Sequence, residues 1–270
     1  MLKYFNTRDN FRRIIASKIA HIQNISQIST GWTNFVFRVQ TEGETFIFRF
    51  PRNSFFAEAL KKEYKIIRFL QDKISFCIPN MRLCYHLKRP FSFHKELSGE
   101  ALSSCYHNMS VQNLNEIADD ICILLKEFSS ISFSNHKFEK VSNFLDRLSA
   151  VSKNNYDISR HNDLKNMEEK HIVFSHGDLN PGNLIIKNHR LYAVIDFAFA
   201  GVSYDLVDLS RIADRCPKEF SEILFTAYKK HFSTIDSTEI SSLCQTWRYV
   251  EEKYILYIKQ NHPDIQLPDL

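Results

Sequence analysis

Three side chains between residues 176 and 196 have the types and spacing for chemistry on a hydroxyl group. The stretch His176-Gly177-Asp178-Leu179-Asn180-Pro181-Gly182-Asn183 sets an Asn five residues after an Asp, and Asp196 ends the apolar run AVIDF thirteen residues further on. An amide oxygen and a carboxylate presented from adjacent strand ends can share Mg²⁺, a hard cation that prefers oxygen ligands. A second carboxylate beside them can accept the proton of a substrate hydroxyl. That makes Asp178 the candidate base, and Asn183 and Asp196 the candidate metal ligands. Asn-Pro-Gly is also an ordinary turn sequence, so the reading needs support from the rest of the chain.

The elements around these residues follow from periodicity. FVFRV (35–39) and TFIFRF (45–50) alternate and flank a turn at residues 40–44, which predicts a hairpin. Residues 55–73 have helical period, and MRLCYHL and FSFHKEL predict two more strands separated by Lys88-Arg89-Pro90. Residues 111–131, 137–152, 204–214, 218–232 and 238–260 predict helices, with Pro217 as a first-turn proline. The candidate site interrupts this helical half as a second hairpin, turning at Asn188-His189. The expected fold is α+β with two lobes and a cleft between them: residues 1–97 an antiparallel sheet plus a helix, residues 98–270 mostly helical.

Composition narrows the class. The chain has 270 residues, 44% of them hydrophobic and 23 of them Phe, which excludes a disordered or low-complexity protein. The apolar runs are too short to span a membrane. The basic N-terminus superficially resembles a transit peptide, but it reads better as a helix capped by Thr7 or Asp9, with Phe11, Ile14, Ile15 and Ile19 inward. The cysteines at 77, 84, 105, 122, 216 and 244 make no metal-like spacing, which suits free thiols in a reducing cytoplasm. Residues 1–95 hold 17 Lys and Arg against 6 Asp and Glu, while residues 96–270 hold 18 against 25. This imbalance suggests an anionic ligand on one side and a cationic one on the other, or simply uneven solvated faces.

The Asp-to-Asn spacing matches the protein-kinase catalytic loop, with Gly177 where Arg is usual. Together, HGDLNPGNLI and VIDFAFAGVSYDLVDLS resemble the two signature stretches of the aminoglycoside phosphotransferase family, which are small-molecule kinases with a protein-kinase-like fold. The resemblance is recognisable over roughly residues 25–210. It implies ATP or GTP as phosphoryl donor with Mg²⁺, and it gives the front half specific roles. Ile47 would face the nucleobase, and Arg49 would reach the phosphates where Lys is usual. Glu63, on the inward face of the 55–73 helix with Leu60, Tyr64 and Ile67, would hold Arg49. Ser29, Gly31 and Thr33 in ISTGWTN would cradle phosphate, and Lys95, Glu96 and Leu97 would form the hinge that reads the base edge. Asp208 would brace the catalytic loop. Only 6 glycines are present, and on this reading five fall at functional turns.

The expected activity is transfer of a γ-phosphoryl group to a small-molecule hydroxyl. The acidic back half favours a cationic, aminoglycoside-like acceptor, with Asp214, Glu251 and Glu252 near the pocket rim and Trp247 and Tyr254 framing it. Glu251 and Glu252 are adjacent, so at most one can face inward. Two alternatives stay open: a non-catalytic nucleotide-binding module, and a kinase for another metabolite such as choline, homoserine, thiamine, a sugar or a macrolide. The segment after Asp196 is too short for the peptide-docking loop of a protein kinase. The chain is expected to work as a monomer, with no nucleic-acid or membrane partner.

Overall fold

A computed structural model describes residues 5, 10–28, 32–133, 136–152, 162–232 and 235–261. The chain divides into two compact units. One comprises the described residues within Met1–Arg68, Pro79–Glu96 and Tyr254–Leu270; the other, those within Phe69–Ile78 and Leu97–Lys253.

The first unit begins with α1 (Phe11–Ala16), capped not by Thr7 or Asp9 but by Asn10, whose side chain accepts from Arg13 N. The strands β1 (Ile22–Ile28), β2 (Asn34–Thr41) and β3 (Thr45–Pro51) follow, then helix α2 (Ser54–Leu70) and strands β4 (Arg82–His86) and β5 (Arg89–Lys95). They form an antiparallel sheet in the order β1-β2-β3-β5-β4. The turn between β4 and β5 is Leu87-Lys88, both with positive φ, one residue earlier than expected. Arg89 and Pro90 therefore belong to the strand, because a two-residue turn of this type matches strand twist. Alternation sends the aromatic rings to one face. Phe48 stacks on its cross-strand partner Phe93 at 4.8 Å, and Phe50 lies 5.1 Å from Phe91. Phe11, Ile14 and Ile15 of α1 close this core with Phe35 and Phe37. The opposite side of β3 is left to Ile47 and Arg49.

The second unit starts with β6 (Glu100–Ala101), α3 (Leu102–Cys105), α4 (Val111–Ser130), α5 (Val141–Ser152) and α6 (Asn162–Lys170). Short strands β7 (Val173–Ser175), β8 (Leu184–Lys187), β9 (Arg190–Val194) and β10 (Gly201–Ser203) come next, then α7 (Leu206–Arg215), α8 (Lys218–Phe232) and α9 (Ser237–Asn261), of which the residues up to Lys253 belong to this unit. Pro217 directly precedes α8 and accepts from Ser221 N at 3.0 Å. The hairpin β8–β9 turns at Asn188-His189, both left-handed, as the sequence predicts. β7 pairs with β10, and β6 joins β8. Helix α4 packs on α8, β7 and β9. Its buried Asp120 fixes the start of β9 by accepting from Arg190 Nε at 2.8 Å and Leu191 N at 3.1 Å. Helix α6, which periodicity did not single out, buries Glu168 as an acceptor for Ser142 and Ser203. It thereby ties α5 to β10, beside the site.

Candidate active site

Strand β7 delivers the chain into His176 and Gly177, and the carboxylate of Asp208 on α7 receives them. His176 N donates to Asp208 Oδ2 at 2.8 Å and Gly177 N to Asp208 Oδ1 at 3.0 Å. Asp208 is buried; burial pushes its carboxyl up, and His176 with the two amide donors pull the other way. Its bracing role is as the sequence predicts. Gly177 has φ +74°, and a Cβ there would stand 2.6 Å from the Phe199 carbonyl oxygen. Only glycine fits that turn. Gly201 answers a different demand: a Cβ there would lie 2.1 Å from the Glu139 carbonyl oxygen. That glycine serves backbone packing rather than ligand approach.

Past Gly177, one carbonyl holds the loop together. The Asp178 carbonyl accepts from Asn180 N at 2.8 Å and from Asn183 Nδ2 at 2.8 Å. Asn180 Oδ1 accepts from Gly182 N at 2.9 Å, closing the turn that Asn-Pro-Gly encodes. The loop is then sewn to the end of β9, since Ile195 N donates to the Asn183 carbonyl at 3.0 Å. His176 is fully buried, and its Nε2 donates to the Ile195 carbonyl at 2.9 Å, so the loop and the Asp196 segment share a second tie. Asp196 itself is left-handed, φ 65° and ψ 63°. A non-glycine residue held there is a strained position of the kind that clusters at functional sites. Asp178, Asn183 and Asp196 are thus carried on two segments bonded to each other.

A fourth residue enters that the sequence did not single out. Arg211 of α7, 8% exposed, donates from Nε to Asp178 Oδ1 at 2.8 Å and from Nη1 to Glu251 Oε2 at 3.2 Å. Trp247 of α9 lies over its guanidinium at 5.1 Å. The helical spacing of Asp208 and Arg211, one turn apart on α7, was the available signal.

Two of the carboxylates expected near the acceptor, Asp214 and Glu251, are paired with arginines. Asp214, with a side chain only 2% exposed, accepts from Arg248 Nε at 2.6 Å, which raises the Arg248 pKa. Glu251 is ion-paired with both Arg211 and Arg215. Burial, and then the nearby Arg211, lower the Arg215 pKa. Glu252 is exposed, in keeping with one of the two adjacent carboxylates facing outward. Trp247 is buried, and the side chain of Tyr254 lies outside the described residues. Tyr204 Oη donates to Glu239 Oε2 at 2.6 Å; burial and that carboxylate push the phenol up.

In the first unit, Arg49 Nη1 lies 2.7 Å from Glu63 Oε1, with the two side chains 11% and 1% exposed. Glu63 shares the buried face of α2 with Leu60, Ile66 and Ile67, while Tyr64 is only half-buried. Ile47 is half-buried two positions along β3. Thr33 Oγ1 accepts from Asn34 Nδ2 at 2.7 Å; Ser29 and Gly31 lie outside the described residues. At the expected hinge, the Lys95 carbonyl already meets His94 Nδ1 at 2.8 Å, and Glu96 N donates to the Thr45 carbonyl at 2.8 Å. The Lys95 ammonium is exposed and paired with Glu44. Leu97 is half-buried and opens the second unit.

Comparison with known proteins bears on the fold and the family. No curated protein matches the sequence significantly. Among solved structures, a GDP complex of aminoglycoside 2'-phosphotransferase-IIIa superimposes with a TM-score of 0.72 at 18% identity, covering 96% of this chain and 95% of that one. An aminoglycoside-3'-phosphotransferase of type VIII gives 0.69 at 14% identity, over 90% of this chain and 97% of that one. A macrolide 2'-phosphotransferase from Brachybacterium faecium gives 0.63 at 13%, over 97% and 100%. At these identities the likeness is one of fold, and the fold is that of the kinase-like phosphotransferases. The sequence model of the phosphotransferase enzyme family, APH, matches residues 24–241. With that match spanning most of its length and the HGDLNPGN loop braced by Asp208, the chain belongs to the phosphotransferase enzyme family.

Proposed function

We propose that the protein transfers the γ-phosphoryl group of ATP or GTP to a hydroxyl of a small molecule, with Asp178 as the base. The observation that carries this reading is the bonding of the Asp178 loop to the Asp196 segment through Asn183 and Ile195. Arg211 holds Asp178 Oδ1, and among the described residues Oδ2 has no hydrogen-bond partner. That oxygen takes the proton of the acceptor hydroxyl as the new O–P bond forms and the nucleoside diphosphate leaves.

Asn183 and Asp196 would hold Mg²⁺. The fit is chemical: Asn183 spends its amide nitrogen on the Asp178 carbonyl, which turns its amide oxygen to other partners, and Asp196 adds an anionic oxygen. Bound there, Mg²⁺ would supply charge neutralisation for the β- and γ-phosphates. Arg49, fixed by Glu63, is assigned to nucleotide phosphate as a bidentate cation. Thr33, with Ser29 and Gly31, is assigned to the phosphate turn, Ile47 to the nucleobase face, and Lys95 and Leu97 to the base edge.

The test is nucleotide consumption by the purified chain with Mg²⁺ and ATP or GTP, over amino sugars, amino alcohols, sugars and macrolides. Acceptor-dependent release of diphosphate that disappears in Asp178→Asn is the expected result. Absence of both turnover and Mg-nucleotide binding by calorimetry would sink the reading.

A further inference from the structure

Beside the catalytic loop lies a cavity of about 290 Å³ that the reaction as described does not use. Leu102, Ser103 and Tyr106 from the segment around α3 form one wall, and Pro217 and Phe220 at the start of α8 form another. Pro181, three residues after Asp178, lines it from the catalytic loop, and Arg215 from the end of α7. The loop and the α3 wall are close: a Cβ built on Gly182 would stand 3.9 Å from Ser103 Oγ. Two aromatic rings, two prolines and a leucine around a partly enclosed volume suit an apolar ring system.

The charges around it point the same way. Asp214, which also lines the cavity, is bonded to Arg248, and Glu251 is paired with Arg215 and Arg211. A polycation entering here would meet carboxylates that are already neutralised, and would have to break an ion pair to reach one. Arg215 also lines the cavity, and it shares the single carboxylate of Glu251 with Arg211. A guanidinium has five N–H donors, so a group that accepts hydrogen bonds can take those that the shared carboxylate leaves over without breaking the pair.

We propose that this cavity is a binding subsite for the acceptor, and that it selects an aromatic or alicyclic body bearing an anionic or uncharged polar group directed at Arg215, rather than a polycation. The assignment of the cavity to the acceptor rests on the phosphoryl-transfer reading; its preference for apolar, non-cationic ligands does not.

The test uses 8-anilinonaphthalene-1-sulfonate, an apolar aromatic monoanion, titrated by fluorescence against the whole protein. Saturable binding is expected, weakened about tenfold by Ser103→Trp, which fills the cavity. Arg215→Gln at the surface should weaken it by roughly fivefold, and it guards against a Ser103→Trp chain that fails to fold. Kanamycin should not displace the dye, and an acceptor found by nucleotide consumption should. No saturable binding, a titration unmoved by both substitutions, displacement by kanamycin, or an acceptor that turns over without displacing the dye would each overturn the proposal. Calorimetry with Mg-ATP on the same samples separates the two readings, because a protein that binds the dye but no Mg-nucleotide refutes phosphoryl transfer and leaves the cavity preference standing.

Discussion

Asp178 must be held still and yet keep an oxygen open to a proton, and Arg211 supplies the first condition. Its Nε fixes Oδ1 at 2.8 Å while Glu251 and Trp247 fix the guanidinium in turn. Replacing Asp178 with Asn keeps the shape and removes the basic oxygen. Turnover should fall by about 10²–10⁴, with Mg-nucleotide affinity by calorimetry nearly unchanged. The metal ligands should behave differently. Asp196→Ala removes an anionic oxygen and should weaken Mg-dependent nucleotide binding more than Asn183→Ala, which removes a neutral one. Equal affinity in both variants and the parent would refute the metal assignment.

At the scale of elements, the N-terminal half of α7 is the brace of the site. Asp208 takes two backbone amides of the catalytic loop into its carboxylate. Asp208→Ala would strand both buried donors, each at a cost of about 1–3 kcal/mol, so the urea midpoint should drop well below that of an exposed control such as Glu252→Ala. Gly201→Ala should also destabilise, by about 1–3 kcal/mol, because the new methyl collides with the Glu139 carbonyl rather than with a side chain that can turn away. Both losses should appear in equilibrium unfolding without nucleotide, which separates them from effects on catalysis.

For the whole molecule, two observables are available without knowing the acceptor. Mg-nucleotide at about 100 times its Kd should stabilise the chain by about 2.7 kcal/mol, seen as a rise in Tm that Asp196→Ala largely removes. The thiols report on packing. Cys77 is exposed, whereas burial pushes Cys122 and Cys216 up to about 12 and Cys244 to about 11. At pH 8 those three carry a vanishing fraction of reactive thiolate, roughly one part in 10³–10⁴. A disulfide reagent should therefore label Cys77 quickly and reach Cys122, Cys216 and Cys244 only as the protein unfolds. Fast labelling of Cys122 in the folded state would contradict the buried placement of α4.

Strand alternation, helical period and turn residues act over a few positions, so they were legible without coordinates. The Phe46-Phe48-Phe50 face of β3, the left-handed turn at Asn188-His189 and the Asp178–Asn183 spacing all belong to that class. The Arg49–Glu63 pair was legible too, because a Glu on an apolar helix face needs a cation and β3 offers one. The turn at Leu87-Lys88 was misplaced because Pro90 tolerates a strand start as readily as a turn. Helix α6 was missed because few apolar residues mark its face. The state of the carboxylates was beyond the sequence altogether. Asp214, Glu251 and Glu252 read alike as acidic helix residues, and only the folding of α7 against α9 decides which are neutralised. That packing brings Arg248 to Asp214 and sets Arg211 between Asp178 and Glu251. An ion pair between residues 30 to 40 positions apart depends on distance in space, which local pattern does not encode.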